Sequence, residues 1–319
     1  MRIISAADIA GLLTHSALVD ALGEAFRANI SVPLRHHHRI PQADGSPEAM
    51  LLLMPAWTAS AGQQFVGTKI VSVYPGNGAR NLPAIYGSYI LSSGETGAPL
   101  AVLDGTELTV WRTACASALA ARSLARKDAA RHVMVGAGAL APHLIRAHCA
   151  VRPIRHVAIW NRSRERAAHL VEGLEGTLPG VTLTVASDLE TAVREADIVS
   201  CATISTNPIV SGAWLKAGAH LDLVGGYTPS MRETDDAAVR RASLFVDTRT
   251  GGLHEAGDIV DPLRRGIIGE ADVKADLFDL CRGTHQGRTT DDEVTLFKSV
   301  GTALEDLAAA MLVWRSLDR

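Results

Sequence analysis

The sequence predicts an α/β fold in two parts: a doubly wound parallel sheet, and an α+β part with a mostly antiparallel sheet. Three observations carry this expectation. Between residues 49 and 103, short apolar runs alternate with turn signals and no helical pattern intervenes. Beyond residue 130, strand-like runs alternate instead with helical patterns, the rhythm of βαβ units. A helical stretch rich in small residues, 108–122, separates the two regimes.

The elements follow in order. Residues 1–30 read as a short strand, a helix start at Ser5 and Asp8, and an amphipathic helix through Val19, Leu22 and Phe26. An extended basic segment, 32–41, contains His36, His37 and His38. Side chains on an extended chain alternate faces, so at most His36 and His38 could share a metal ion. No nearby cysteine or HExxH motif supports them, and no metal site is expected. Arg35 or Arg39 could instead point into a pocket and hold an anion. Strands are expected at 50–54, 65–74, 85–91 and 99–103, with hairpin chemistry at 75–78 and 92–97. Lys69 interrupts an apolar strand. Either it snorkels at an edge, or it faces inward and requires a carboxylate or a ligand. The helix 108–122 is read as opening at Thr109 or Thr113. Arg112 would then sit near its start, where the dipole disfavours a cation. It is either held for an anionic ligand or is a surface arginine.

The strand 131–135 breaks into Gly136-Ala-Gly138-Ala-Leu-Ala141, followed by a helical segment, 142–150, and a second strand at 157–160. Gly136 permits a tight turn, Gly138 lets backbone approach a pyrophosphate, and Ala141 allows close helix–strand packing. Free N–H groups at the helix start favour an anion. This is the spacing of a Rossmann βαβ unit, which assigns Gly136, Gly138, Ala139 and Leu140 to a dinucleotide. NAD sites usually offer an acid at the end of the second strand, but here stand Asn161, Arg162 and Ser163, followed by Arg164 and Arg166. An amide, a hydroxyl and a guanidinium suit a 2′-phosphate, so NADPH is preferred and NADH is possible. The bland alternative is a solvated helix start with incidental basic residues.

Further strands are expected at 181–186, 197–203, 220–226 and 243–247, with a helix at 189–195. Ligands bind beyond the carboxyl ends of such strands, which makes Thr203 and the loop 225–229 candidates. From Gly287 the chain reads as a turn and then a long helix to Arg319 that returns to the first part. The expected domains are 1–112 with 302–319, and 113–301.

Composition narrows the function classes. Apolar content of 47% with 20% charged residues describes a soluble globular chain. A net charge of −3 gives no reason to expect nucleic acid or an acidic membrane as partner. Cys115, Cys149, Cys201 and Cys281 stand far apart with no CxxC, as expected of reduced thiols. Without a signal-peptide core or a membrane-length apolar run, a cytoplasmic protein is expected.

Over nearly its whole length the chain resembles the ornithine cyclodeaminase/μ-crystallin family. The resemblance rests on Leu53-Met-Pro55, Thr68-Lys69, Thr96-Gly-Ala-Pro-Leu100, Arg112-Thr-Ala114, Val135-Gly-Ala-Gly138 and Trp160-Asn-Arg162. It extends through the stretch from Gly287-Arg-Thr289 to Gly301-Thr-Ala-Leu-Glu-Asp-Leu-Ala308. It implies an N-terminal domain that builds a homodimer interface, an NAD(P)-binding Rossmann domain, and a small imino or amino acid substrate held between them. By the same resemblance Arg35, Lys69 and Arg112 clamp the substrate carboxylate, with Arg112 also near the cofactor. Ser299 and Val300 would lie beside the nicotinamide and substrate.

Two departures bear on the subclass. Ornithine cyclodeaminases carry a glutamate two residues before Met-Pro and an aspartate after the Gly-Gly of the fifth Rossmann strand; here stand Leu52 and Tyr227. Leucine cannot accept a proton, and a phenol is a poor carboxylate substitute at neutral pH. The loop 226–234 and Pro33-Leu-Arg-His-His-His38 are similar to those of the Δ1-pyrroline-2-carboxylate/Δ1-piperideine-2-carboxylate reductases. The resemblance therefore implies NAD(P)H-dependent reduction of a cyclic ketimine acid to L-proline or L-pipecolate, with Lys69 polarising the imine or relaying a proton. The rivals are cyclodeamination of ornithine, an alanine dehydrogenase-like reductive amination of pyruvate, and a non-catalytic NADPH-bound protein of the μ-crystallin kind.

Overall fold

The computed structural model describes residues 1–43, 47–59 and 64–317. The chain forms two compact units, Met1–Arg112 with Thr302–Arg319, and Thr113–Gly301.

Unit one is built on seven strands: β1 (Arg2–Ile4), β2 (Ile30–Ser31), β3 (His36–Ile40), β4 (Ala49–Thr58), β5 (Phe65–Val73), β6 (Ile85–Ser93) and β7 (Pro99–Asp104). They run in the order β1-β7-β6-β5-β4-β2, with β3 also on β4; only β1 pairs in parallel, with β7. Helix α1 (Ala6–Leu12) opens with a capping box between Ser5 and Asp8, and α2 (His15–Arg27) with Thr14 as its cap. α2 buries Leu18, Val19, Leu22 and Phe26, a helical stripe laid against the C-terminal helix Ala303–Ser316, which also packs on β4, β5 and β6.

Two local expectations change here. The stretch 75–78 is not a tight hairpin turn but part of a 3₁₀ helix, Pro75–Arg80, closed by Asn81 in the left-handed region at φ 55°. Helix α3 (Gly105–Leu124) starts a full turn before Thr109, because Asp104 accepts the Glu107 N–H at 2.8 Å. Gly105 is needed there: a Cβ would come 2.7 Å from the backbone of Gly87. Arg112 therefore lies beyond the first turn, and the dipole argument against it lapses.

Unit two is one parallel sheet of eight strands: β8 (Arg131–Val135), β9 (His156–Trp160), β10 (Thr182–Val185), β11 (Ile198–Cys201), β12 (His220–Leu223), β13 (Ser243–Val246), β14 (Val273–Asp276) and β15 (Thr295–Lys298). Their order is β10-β9-β8-β11-β12-β15-β13-β14. The first five follow the Rossmann order, and the switch point lies between β8 and β11, where helix α4 (Leu140–Val151) leaves β8. β14 and β15 were not expected from the sequence. β15 falls where a turn was read to lead straight into the last helix, and that helix ends at Ser316. The core gathers Val133, Val135, Val199, Leu221, Leu223, Leu244, Val246 and Leu296, each contributing about 1.5–3 kcal/mol on burial.

The middle strands also bury polar side chains. Asp222 on β12 accepts from Ser117 Oγ at 2.8 Å and Ser200 Oγ at 2.9 Å, and lies 3.2 Å from His148 Nε2. His132 reaches Ser200 at 3.0 Å, and His220 reaches Thr295 at 2.9 Å. Burial pushes the Asp222 pKa up, but its His148 and Ser117 hydrogen bonds and neighbouring histidines hold it below the ordinary range. Among the described residues no helix is long and apolar enough to cross a membrane, and no group of three or more His, Cys, Asp or Glu could hold a metal ion.

Removing one member of a buried charged network strands its partners without hydrogen bonds. Asp222→Ala should therefore destabilise the fold by about 3 kcal/mol. Urea denaturation would read this as a lower midpoint at unchanged slope; an unmoved midpoint would remove the network from the fold's stability.

Candidate active site

In unit one the site begins with strand register. Met54, Lys69 and Tyr89 stand directly opposite one another across β4, β5 and β6, and so share a sheet face. Lys69 is 2% exposed, with Nζ 2.7 Å from Asp306 Oδ2 and 3.5 Å from Thr109 Oγ1. It does not snorkel; it points inward and has the carboxylate partner that this orientation demands. Arg112 is equally buried and is not a surface residue. Its Nε lies 2.9 Å from Asp306 Oδ1 and its Nη1 2.8 Å from Glu305 Oε2. Glu305 and Asp306 occupy the first turn of the C-terminal helix, where the dipole favours negative charge.

The half-buried Arg35 adds a third positive charge to this field. Burial is the main force lowering the Lys69 pKa; Asp306 opposes it, Arg112 and Arg35 reinforce it, and the net value is about 8. Burial alone would raise the Asp306 pKa, but Lys69 and Arg112 hold it below the ordinary range. Lys69 and Arg112 thus face Glu305 and Asp306, two cations against two carboxylates, with the positive field of Arg35 beside them.

Tyr89 closes the inner side of this face. Its ring fills the space over Gly67, where a Cβ would stand 1.9 Å from the phenol oxygen. The hydroxyl is buried with no hydrogen-bond partner among the described residues. Burial and then Asp306 push its pKa up, so it stays neutral. Leu52 lies on the same face of β4 as Met54 and supplies no acid.

In unit two the candidates gather at the carboxyl edge of the sheet. Gly136 adopts φ +111°, and a Cβ there would come 2.7 Å from the Ala202 carbonyl oxygen. At Gly138 nothing lies within 4 Å of a Cβ position, so backbone stands open to a ligand. Ala139 gives α4 no side-chain cap, Leu140 begins the helix, and no acid occupies its first turn. Uncapped N–H groups beside an open glycine fit a dinucleotide pyrophosphate.

Asn161, Arg162 and Ser163 follow β9. The Asn161 amide donates to the Ser163 carbonyl at 2.9 Å, while the Ser163 hydroxyl caps the helix Arg164–Leu174 and donates to Glu165 at 2.7 Å. Arg162 is exposed. Part of the polar capacity read for a 2′-phosphate is therefore used locally, and the guanidinium carries most of what remains.

Thr203 donates to Glu233 Oε1 through both its N–H, at 2.7 Å, and its hydroxyl, at 2.8 Å. Gly225 and Gly226 donate to Oε2 of the same carboxylate at 2.8 and 3.3 Å. Asp247 Oδ2 accepts the Val300 and Gly301 N–H groups, each at 2.7 Å, which fixes the backbone after β15. Ser299 is 3% exposed, and its hydroxyl has no partner among the described residues. Sequence reasoning missed Glu305, Asp306, Glu233, Asp247 and Asp258. An available signal was the acid pair in the apolar stretch 303–313, which raises the same question as Lys69 in its strand.

The family model described as ornithine cyclodeaminase/mu-crystallin matches residues 1–319. The chain belongs to that family. It is 38% identical over 303 residues to a Delta(1)-pyrroline-2-carboxylate reductase of Paracoccus denitrificans, spanning 93% of this chain and 94% of that protein. Among solved structures it resembles the Thermococcus litoralis Delta(1)-pyrroline-2-carboxylate reductase in complex with NADH and L-proline. The TM-score is 0.91 at 32% identity, covering 99% and 97% of the two chains. It also resembles an archaeal alanine dehydrogenase dimer with bound NAD, at TM-score 0.89 and 30% identity, covering 99% and 95%. The Rossmann fold of unit two is common to this group.

Asp306→Asn tests the charge balance. Asp306 raises the Lys69 pKa, so its loss should move that pKa below about 8. Side-chain NMR titration of Lys69 would measure this; an unmoved or raised value would contradict the electrostatic account.

Proposed function

We propose that this chain is an NAD(P)H-dependent ketimine reductase that reduces Δ1-pyrroline-2-carboxylate or Δ1-piperideine-2-carboxylate to L-proline or L-pipecolate. The observation that carries the reading is the buried cluster of Lys69 and Arg112 held by Glu305 and Asp306, with Arg35 adding to its positive field. The reductase relatives support the same chemistry. A bound dinucleotide supplies the hydride; the chain supplies binding, orientation and a proton.

Arg112 and Arg35 hold the substrate carboxylate, and the carboxylates behind Arg112 fix its guanidinium in one orientation before the ligand arrives. Lys69, with a pKa of about 8, holds a proton at Nζ at neutral pH and is acidic enough to share it with an imine nitrogen. Thr109 and Asp306 keep Nζ in place. Leu52 and Tyr227 stand where cyclodeamination would need carboxylates, so the amine of an acyclic substrate would lack a base.

The dinucleotide is assigned to Gly136, Gly138, Ala139, Leu140, Thr203 and Ser299, with Val300 next in the chain. Arg162, with Asn161 and Ser163, favours NADPH through its guanidinium, while NADH remains usable. We also assign a homodimer. The outward face of the unit-one sheet exposes Trp57, Val66 and Tyr86, an apolar surface suited to a second copy. Four cysteine thiols suit a reducing, cytoplasmic setting.

The test is dinucleotide oxidation with each cyclic imine, beside ornithine without reductant and pyruvate with ammonia. Rapid NADPH oxidation by the imines with silent ornithine is expected; proline formed from ornithine would overturn the reading. kcat/KM should fall as pH rises through about 8, because the required form of Lys69 is the protonated one. Lys69→Met should reduce kcat by roughly 100-fold or more, and nearly unchanged turnover would dismiss its proton role. Arg162→Ala should raise the KM for NADPH by about tenfold, in line with loss of one charge-assisted contact, and leave that for NADH unchanged.

A further inference from the structure

Lys298, the last residue of β15, is fully buried. Its Nζ lies 3.4 Å from Asp258 Oδ2 and makes no hydrogen bond to any described residue. An ammonium held this way does little as a hydrogen-bond donor, so what it contributes is charge. Asp258, on the helix Gly257–Arg264, uses its other oxygen to accept the Glu233 N–H at 2.7 Å and the Thr234 N–H at 3.2 Å. Glu233 takes four donors on its two oxygens: the Thr203 N–H and hydroxyl, and the Gly225 and Gly226 N–H groups.

We propose that Lys298 is a positioning residue for the dinucleotide edge: its buried charge keeps Glu233 as the carboxylate that ties together the loops after β11 and β12. The inference rests on reading that edge as the dinucleotide site. With all four acceptor positions of Glu233 filled, a proton on either oxygen would confront a donor and release one loop contact. Burial, the largest influence, lifts the Glu233 pKa above the ordinary carboxylate range, with Asp258 adding to it; Lys298 opposes both and limits the rise. Cys201, at the end of β11, faces the same charges together with Asp222 of β12; burial and the carboxylates push its thiol well up, so it stays neutral. The loops have little freedom to compensate, because a Cβ at Gly225 would come 2.0 Å from the Thr203 carbonyl oxygen. Ser299, which follows Lys298, is tied to Leu223 of β12 by its N–H at 3.2 Å.

The experiment measures the dissociation constants of NADPH and NADH by calorimetry with the full chain, near pH 8 and near pH 6. The proteins are wild type, Lys298→Met, Glu233→Gln and the double variant, with thermal unfolding to show that each is folded. Lys298→Met should bind both dinucleotides severalfold more weakly than wild type, and the loss should grow from pH 8 to pH 6, the direction in which Glu233 takes up a proton. Glu233→Gln should bind weakly at both pH values, and the double variant no more weakly than Glu233→Gln alone, because Lys298 acts through Glu233. A Lys298→Met constant equal to wild type at both pH values, or additive losses in the double variant, would overturn the proposal. If Lys298→Met does not fold, Lys298→Gln carries the same expectations. Wild type that binds neither dinucleotide would instead discard the reading of the edge.

Discussion

Unit one is governed by the neutralisation of two buried cations by two acids from distant sequence. Lys69 on β5 and Arg112 on α3 meet Glu305 and Asp306 on the C-terminal helix. Moving such charges out of water costs several kcal/mol per ion even after relaxation, and well-packed apolar residues often replace buried pairs at no loss of stability. Stability alone is therefore a poor reason for the cluster. Perturbed, buried charges of this kind cluster at functional sites, which fits the proposed hold on a substrate carboxylate. The sheet register, the α3 cap at Asp104 and the helix dipole at Glu305 and Asp306 all serve that arrangement.

Unit two solves a different problem. Its central strands are buried on both faces, so loops carry the chemistry at the carboxyl edge, and loops need anchoring. Buried carboxylates do this by accepting backbone N–H groups: Glu233 takes Gly225 and Gly226, Asp258 takes Glu233 and Thr234, and Asp247 takes Val300 and Gly301. Asp247, just past β13, reaches in this way to the backbone that follows the neighbouring β15.

Much of this was legible because some residues conflict with their immediate sequence setting. A lysine in an apolar strand, glycines between a strand and a helix, and a Ser5–Asp8 cap each announce a requirement within a few positions. What stayed hidden had no such conflict. Glu305 and Asp306 look like ordinary acids at a helix start. β15 has only Thr295-Leu-Phe-Lys298, too short for a period, and its terminal lysine looks like a solvent-facing end. The α3 start was misplaced because its cap, Asp104, is also the last residue of β7. Glu233 and Asp258 acquire meaning only through partners that the fold brings to them.

The discontinuity of unit one has a bearing on synthesis. Residues 113–301 form a contiguous body that contains its own acids and the backbone groups they hold, so it can close as soon as it has emerged. Lys69 and Arg112 emerge earlier but have no counter-ions until Glu305 and Asp306 are translated near the end. The N-terminal sheet therefore cannot bury its inner charges with their counter-ions until residues 303–306 have been made, although the whole of another unit, residues 113–301, comes first.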